Sequence, residues 1–401
     1  MKIGLVLPNP PKYSETFFTS KIKGLQAHGI EVVLFTQHYK TPLKGRKGSA
    51  NNLCQIYQAP KVYHNYPILQ SLLIFGVLIT LLPNLKTIFR FIHLERNEKT
   101  TWKAIIKKIY LYSHILKHKV TYLHFGFATQ ALGSELVAKA MDASMAVSFR
   151  GFDINVYPVK HPDCYKKVWK YVDKVHSISF YLLEKAYTLG LSKKTPFSVI
   201  TPAVDLSNFK NLTSQTSKPT LQILTIARLN WIKGIDTSIT AMKILKEKGI
   251  DFKYHIIGDG VNKDSERFKF HVYELGLSEN IIFYGKLTHS ATLQVLIKTD
   301  LYIQPSYNEG FCNAVLEAQA MGKLCIASNV GGLPENIKDK KTGWLVPTYN
   351  SQALADKILE VIHLPEDKKQ EISANAKERV KKYFTIEQQQ QKFVDFYEKN
   401  S

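Results

Sequence analysis

The sequence predicts an α/β protein made of two doubly wound domains, each with a parallel sheet. From residue 221 onward, short apolar runs alternate with helical stretches. Strands separated by helices of this length form βαβ units with right-handed crossovers. The first half follows the same alternation less regularly, and a stretch rich in Thr, Ser and Asn separates the halves. A chain of 401 residues suits two cores, since single cores stop growing at roughly 250 to 300 residues.

These patterns give four predicted segments. Residues 1–203 form the first domain, 204–219 a linker, 220–383 the second domain, and 384–401 a terminal helix that returns to the first domain. Two Rossmann-like domains of this kind are expected to face one another across a cleft, because open parallel sheets bind ligands beyond the carboxyl ends of their strands.

In the first domain, four apolar runs are candidate strands: KIGLVLP, GIEVVLFT, YLHFGF and MAVSFRG. The first holds an apolar run of about five residues before Pro8, shorter than the roughly 7 to 15 of a signal-peptide core. We therefore expect a buried strand and a cytoplasmic protein. The four cysteines lie far apart with no CxxC pair, so neither a zinc ribbon nor a disulfide framework is indicated.

Between Pro67 and Pro83 lies an uncharged run, ILQSLLIFGVLITLL. At 1.5 Å per residue it spans about 22 Å, short of a bilayer core of about 30 Å. Residues 86–119 then carry nine Lys or Arg and two Glu, with apolar residues between them: Ile88, Phe91, Ile92, Trp102, Ile105, Ile106, Ile109 and Tyr110. This insert, residues 66–119, is typical of a helix in an anionic membrane interface. A buried helix pair is the alternative for residues 68–82.

In the second domain, the candidate strands are LQILTIA, YHIIG, NIIFYG, DLYIQP and LCIAS, with helices over 234–248 and 313–321.

Net charge differs sharply between the two halves of the chain. Residues 1–200 hold 28 Lys or Arg and 10 Asp or Glu, a net +18, and the remaining residues hold 26 and 23, a net +3. The first half is therefore expected to meet a polyanion such as an anionic membrane, a nucleic acid or a phosphorylated substrate.

Two cations mark the first strand end of the second domain. Arg228 ends the strand, and Lys233 immediately precedes the helix that Gly234 opens. Free N–H groups at a helix start, together with two cations, attract a phosphate or diphosphate. Gly258 and Gly260 end the next strand, where glycines allow close approach of a ligand. A simple turn explains these two glycines nearly as well.

The segment NEGFCNAVLEAQAMG, 308–322, carries two acids. The helix that follows Gly310 and Phe311 begins near Cys312 and Asn313, so that its first N–H groups are expected to face an anion. Glu317 lies about one turn, or ~6 Å, further along. A carboxylate there can accept hydrogen bonds from two ribose hydroxyls. Glu309, which precedes the turn, is expected to face the opposite end of the same ligand.

The span from Arg228 to Pro347 resembles the C-terminal half of GT-B retaining glycosyltransferases of family four, the glycosyl transferases group 1. Five features occur in the family's order: the Arg and Lys pair, GDG, PSYNEGFCNAVLEAQAMG, NVGGLPE and TGWLVP. Their hallmark is Glu, seven residues, Glu, here Glu309 and Glu317. Weaker resemblances extend to PAVDLSNF, HFGFATQALGSELVAKAM, residues 148–154 and PKYSETFF.

This resemblance implies transfer of a hexosyl group from a UDP- or GDP-sugar, with retention of configuration, to a saccharide acceptor that is lipid-linked. Arg228 and Lys233 would neutralise the diphosphate, Glu317 would hold the ribose, and Glu309 would hold the donor sugar. The amides of 310–313 would share that last task. No metal or other cofactor is expected, because cations and helix starts stabilise the leaving diphosphate.

Two departures from the family concern the first domain. Members commonly carry His in an HGxD-like element, whereas Arg150 and Asp153 occupy that run here. Arg150 can bind a phosphate or a sugar hydroxyl, or the two residues can pair and fix the loop. The usual Gly-Gly pair of the first loop is replaced by Ser14 and Thr16, which are candidate phosphate or acceptor contacts or simply helix caps.

Three other functions compete. A nucleic-acid-binding protein would explain the charge, but the helix-turn-helix, zinc-finger and RNP-type patterns do not occur and no nucleic-acid partner is expected. A dinucleotide-dependent oxidoreductase would need GxGxxG after the first strand, which is missing. A nucleotide-sugar epimerase shares the fold. The leading hypothesis is a transferase of surface polysaccharide, capsule or lipopolysaccharide synthesis, held peripherally on the inner face of the plasma membrane.

Overall fold

A computed structural model describes residues 1–11, 16–37, 53–209, 220–260 and 262–398. Ser14 and residues 210–219 of the predicted linker lie outside the described residues. The chain divides into two compact units. Unit 1 comprises Met1–Ile200 and Gln389–Ser401, and unit 2 comprises Thr201–Gln388.

Unit 1 is built on a parallel sheet in which seven strands are described. The strands are β1 (Lys2–Leu7), β2 (Glu31–Thr36), β3 (Gln55–Gln58), β4 (Tyr122–Phe125), β5 (Ser144–Phe149), β6 (Lys174–Ser177) and β7 (Phe197–Val199). Their order across the sheet is β3-β2-β1-β4-β5-β6-β7. The order reverses between β1 and β4, which is the topological switch point of a doubly wound sheet.

The helices of unit 1 connect these strands. They are α1 (Thr16–Ala27), α2 (Pro67–Thr80), α3 (Leu85–Asn97), α4 (Trp102–Leu116), α5 (Ala128–Ala131), α6 (Val137–Ala140), α7 (Tyr157–Lys160), α8 (Lys166–Tyr171) and α9 (Phe180–Thr188). The central strands are apolar because helices cover both faces of the sheet, and β1 is buried from Ile3 to Leu7.

Unit 2 repeats the architecture with six described strands. They are β8 (Leu221–Ile226), β9 (Phe252–Ile257), β10 (Ile281–Gly285), β11 (Leu301–Gln304), β12 (Leu324–Ser328) and β13 (Trp344–Val346). The sheet is parallel with the order β10-β9-β8-β11-β12-β13. Its switch point lies between the neighbours β8 and β11.

Helices α10 to α16 cover this sheet, and α17 ends the chain. They are α10 (Ile235–Glu247), α11 (Asn262–Glu274), α12 (His289–Leu296), α13 (Asn313–Ala320), α14 (Leu333–Asn336), α15 (Ser351–Ile362), α16 (Glu366–Tyr383) and α17 (Ile386–Glu398). Phe393, Val394, Phe396 and Tyr397 of α17 are buried in the core of unit 1, which also contains Ile3 and Leu5.

The predicted fold class, two doubly wound parallel sheets, is confirmed. Four strands were not predicted: β3, β6, β7 and β13. Strand β6 shows why, since all four residues of its sequence KVHS are buried although only Val175 is apolar. Its His176 and Ser177 side chains are satisfied by hydrogen bonds, as His176 Nδ1 lies 2.8 Å from Ser148 Oγ and Ser177 Oγ donates to Ser179 O at 2.6 Å. Such a strand has no apolar run to reveal it.

The insert also differs from expectation. Of the eight apolar residues predicted for an interfacial stripe in 86–119, Ile88, Phe91, Ile105, Ile109 and Tyr110 are buried, so most of that stripe is core. Among the described residues, no single helix is both long and apolar enough to cross a membrane. One pair, Pro67–Thr80 with Leu82–Asn97, meets that criterion only when joined across a 56° bend.

Candidate active site

Most of the predicted site residues of unit 2 lie at the carboxyl edge of its sheet. Lys233 follows β8 and Glu309 follows β11, and these strands are the two that flank the switch point. Ligands of open parallel sheets bind at this position. The fold therefore brings together two residues that are 76 positions apart in the chain.

Lys233 is positioned by the short segment that joins β8 to α10. A 3-10 turn, Trp231–Lys233, is capped by the Asn230 side chain, which accepts a hydrogen bond from Ile232 N. Gly234 then adopts φ +61°, and a Cβ there would lie 2.0 Å from the Pro305 carbonyl oxygen. Only glycine permits this approach, which holds Lys233 against the loop that follows β11.

Glu309 forms an ion pair with Lys233, in which both side chains are largely buried. Its Oε1 also accepts hydrogen bonds from Ser306 Oγ at 3.2 Å and from Gln304 Nε2 at 3.4 Å. Gln304 is fixed in turn by Tyr302, whose hydroxyl donates to Gln304 Oε1 at 2.6 Å. The end of β11 thus supplies a connected network that orients the carboxylate and, through it, the ammonium group.

Gly258 and Gly260 lie where two loops of the protein meet. A Cβ on Gly258, at φ +143°, would be 1.8 Å from the Ala227 carbonyl oxygen, and one on Gly260 would be 2.0 Å from that of Leu229. Leu229 N also donates to Asp259 O at 2.9 Å. Close packing against the loop that carries Arg228 therefore accounts for both glycines. Arg228 itself is exposed.

The start of α13 is held by Asn336, a fully buried residue at the end of α14. Asn336 Oδ1 accepts from Cys312 N at 3.0 Å, and its Nδ2 donates to Cys312 O at 3.0 Å. The Cys312 amide is therefore engaged within the protein, and burial raises the pKa of its thiol to about 12. Asn313 is exposed, and α13 has no side-chain cap, so its first turn can receive an anion.

Gly310 and Phe311, which precede α13, are both buried. Phe311 packs against Phe384, with ring centroids 5.7 Å apart. Two glycines after β12 complete the loop, since a Cβ on Gly331 or Gly332 would lie 2.1 Å from Glu309 O or 2.0 Å from Gly310 O. The backbone that carries Glu309 is thus fixed on both sides.

Glu317 lies one turn into α13, mostly buried, and pairs with a residue that the sequence did not suggest. His289, the first residue of α12, places Nε2 3.0 Å from Glu317 Oε1. This hydrogen bond raises the pKa of His289 above its usual value. The Lys233–Glu309 and Glu317–His289 pairs are separate, so the two acids of the motif have different partners.

Among the predicted residues of unit 1 that the structure describes, Arg150 and Asp153 belong to the loop after β5. Arg150 follows β5 and its guanidinium stacks on Phe17, 3.7 Å from the ring centroid. Asp153 is buried and accepts backbone N–H bonds from Arg150, Gly151 and Ala128 at 2.9, 2.9 and 3.0 Å. Burial raises its pKa. The carboxylate therefore fixes the loop after β5. Thr16, another predicted residue of unit 1, is the first residue of α1.

Sequence reasoning missed His289, Asn336, Gln304 and Ser306. A signal existed for Gln304, because it is the one polar residue at the end of the apolar strand LYIQ. His289 and Asn336 give no such signal, since each acts on a residue at least 24 positions away. Among the described residues, no group of three or more His, Cys, Asp or Glu is arranged to hold a metal ion.

Comparison with known proteins bears on the family and the fold. The family model of glycosyl transferases group 1 matches residues 209–379. The chain carries a group 1 glycosyltransferase domain. The protein of Escherichia coli (strain K12) named for colanic acid biosynthesis, the glycosyltransferase WcaL, is 26% identical over 408 residues, covering 96% of both chains. The glycosyltransferase has the GT-B fold.

Two solved structures show the extent of the shared fold. A glycosyltransferase from Rickettsia africae superposes with a TM-score of 0.73 at 21% identity, covering 100% of this chain and 99% of the other. HepE of Anabaena, solved with UDP and glucose, gives a TM-score of 0.69 at 15% identity over 98% of each chain. The likeness therefore extends over both units of this glycosyltransferase.

Proposed function

We propose that this glycosyltransferase moves a hexosyl group from a UDP- or GDP-sugar to a lipid-linked saccharide, with retention of anomeric configuration, in surface polysaccharide synthesis. The observation that carries the proposal is the Lys233–Glu309 pair at the β8/β11 switch point, beside the uncapped first turn of α13. A cation beside the positive end of a helix, at one point of a sheet edge, is suited to a diphosphate.

The ion pair suggests how the donor enters. A diphosphate carries more negative charge than one carboxylate, so it competes with Glu309 for the Lys233 ammonium group. Once displaced, the Glu309 carboxylate can accept a hydroxyl of the transferred sugar, while Ser306 and Gln304 still orient it. The same exchange places the cation where charge develops on the leaving diphosphate.

Glu317 is suited to the other end of the donor. His289 holds Oε1, and the second carboxylate oxygen can accept a hydrogen bond from a ribose hydroxyl. The distance of about one helical turn between the first residue of α13 and Glu317 matches the separation expected between a diphosphate and its ribose. Arg228, exposed in the loop after β8, can add a second cation to the diphosphate.

The acceptor is proposed from the charge and from relatives. The first half of the chain has a net charge of +18, which favours a protein held peripherally on an anionic membrane at the inner face of the plasma membrane. The name of the Escherichia coli relative refers to colanic acid biosynthesis, a process that assembles a polysaccharide. Both features are consistent with a saccharide acceptor carried on lipid.

The test is a transfer assay with the full chain, radiolabelled UDP- and GDP-hexoses, and lipid-linked saccharides extracted from a polysaccharide-producing bacterium. We expect label to enter the lipid phase only when acceptor is present, with the anomeric configuration of the donor by proton NMR. A chelator such as EDTA should change the rate less than about twofold, because cations and helix N–H groups take the place of a metal. Isomerised donor formed without acceptor, or an inverted product, would contradict the proposal.

A further inference from the structure

Helix α2 is an apolar helix without a buried side chain, and it carries no charged residue. Its large side chains, together with Leu82 just beyond its end, form an exposed stripe along one face. Ile68, Leu72, Phe75, Ile79 and Leu82 are 79%, 64%, 65%, 51% and 56% exposed. Their spacing repeats every three or four residues, which places them on one side of a helix. A surface helix normally presents polar residues on this side.

The opposite face of α2 rests on the protein. Leu73, Ile74 and Val77 are half-buried, and the helix contacts α4. The chain then bends by 56° into α3, where Ile88, Phe91 and Glu95 are buried. Helix α2 is about 21 Å long, so it is too short to span a bilayer core of about 30 Å. It lies on the unit with one face covered and one face open.

Exposed lysines occur in the segments that flank α2 in the chain and in α4, which α2 contacts. Lys61, Lys86, Lys103 and Lys107 are exposed, and residues 53–94 contain no acidic residue. The two acids of the insert point elsewhere. Glu95 is buried and bound to Lys108 at 2.7 Å, and Glu98 is bound to Lys170 at 2.6 Å. Helix α2 and the chain on either side of it therefore carry exposed lysines and, over residues 53–94, no acid.

From this combination we infer that α2 and the start of α3 insert into one leaflet of an anionic bilayer as a non-spanning anchor. A second copy of the chain is disfavoured as the occupant, because it would bring two sets of lysines together. A lipid leaflet instead offers hydrocarbon to the apolar stripe and phosphate to the lysines. The inference rests on the proposed function only in placing the acceptor at the same membrane.

This anchor changes the expected response of membrane binding to salt. Attachment through lysines alone is abolished by high salt, since the screening length falls to about 3 Å at 1 M. Attachment through buried apolar side chains persists. Lys108 is engaged by Glu95 and is therefore not a membrane contact.

The experiment is vesicle co-sedimentation of the full chain, with phosphatidylcholine alone or with about 30% phosphatidylglycerol, in 0.1 M and 1 M KCl. The test variant is Leu72→Ser, Phe75→Ser and Ile79→Ser combined. The matched control is Phe270→Ser, Tyr273→Ser and Ile282→Ser, since these side chains are 62%, 71% and 38% exposed in unit 2. A third variant, Lys86→Gln, Lys103→Gln and Lys107→Gln, removes charge alone.

We expect the test variant to lower the partition coefficient at least about 100-fold on anionic vesicles, because each buried apolar side chain contributes roughly a tenfold factor. The control should stay within about twofold, and the parent protein should remain largely bound in 1 M KCl. The lysine variant should lose affinity in 0.1 M KCl but match the parent in 1 M.

Three outcomes would overturn the inference: equal partitioning of the test variant and the parent, full release of the parent by 1 M KCl, or a dimer that the test substitutions dissociate without any vesicle binding. A thermal-shift assay with UDP and GDP is run on the same samples. An unchanged nucleotide response in the test variant shows that it is folded. Failure of nucleotide binding in the parent would count against the proposed function and leave the anchor standing.

Discussion

Helices α13 and α2 both derive from apolar stretches of sequence, yet their environments are opposite. Helix α13 buries Val315, Leu316, Ala318 and Gln319 beside β11, β12 and α16, and it presents Glu317 to His289. Helix α2 buries none of its residues. Apolar composition therefore does not fix burial. In α13 a single acid, Glu317, interrupts the apolar pattern at the proposed donor site, whereas the uncharged helix α2 is the proposed membrane anchor.

Among substitutions in the two regions, the largest effect is expected at Lys233, in the proposed donor site. Replacement by Ala should lower kcat/KM for transfer by about 100- to 1,000-fold, the cost of removing one group that stabilises developing charge. Vesicle partitioning should not change, since Lys233 lies in unit 2. Steady-state kinetics with the best donor would measure the effect.

Lys243→Ala is the control for that variant, because Lys243 lies on α10, which begins just after Lys233, and pairs with Glu247 at 3.3 Å. It should retain activity within about twofold. Equal losses in the two variants would show that Lys233 acts only by supporting α10.

The burial difference predicts a difference in stability. Leu316 is fully buried, so Leu316→Ala should reduce the free energy of unfolding by about 2–5 kcal/mol. Leu72→Ala should change it by less than about 0.5 kcal/mol, because Leu72 is 64% exposed. Urea unfolding would compare them. A large loss for Leu72→Ala would mean that α2 is covered by protein.

Two glycine substitutions distinguish a requirement for close packing from a requirement for a positive φ alone. Gly258→Ala should cost about 2–4 kcal/mol of unfolding free energy, since its Cβ would meet the Ala227 carbonyl oxygen. Gly276→Ala should cost about 1–2 kcal/mol, because φ is +65° but nothing lies within 4 Å. Similar values for both would argue against tight packing of the two loops.

The smallest effect concerns the partner of Glu317. Because the Glu317 hydrogen bond raises the pKa of His289, Glu317→Gln should lower that pKa in an NMR titration, and Glu360→Gln should not. The pair stabilises the fold fully below the unfolded His pKa near 6.5 and loses this effect as pH rises through the folded pKa. Since His289 is half-exposed, the gain is at most a few tenths of a kcal/mol. An unchanged pKa would show that the contact is incidental.

The sequence could predict much of the fold, because strands of parallel sheets are buried on both faces and show as apolar runs. It could not predict β6, in which the buried His176 is satisfied by hydrogen bonds to Ser148 and Ile200. For the site, motif order located Lys233, Glu309 and Glu317 near strand ends. The pairs themselves were out of reach, because Lys233 and Glu309 meet only through the adjacency of β8 and β11. The exposure of α2 was equally hidden, since composition is the same for a core helix and a lipid-facing one.

Isothermal titration of UDP and GDP into the parent protein, Lys233→Ala and Lys243→Ala tests the central claim most directly. The account predicts that one of the two nucleotides binds the parent and Lys243→Ala alike, with at least about tenfold weaker binding to Lys233→Ala, as expected for one charge-assisted contact. Equal affinity for all three proteins, or no binding to any, would contradict a diphosphate site at the β8/β11 switch point.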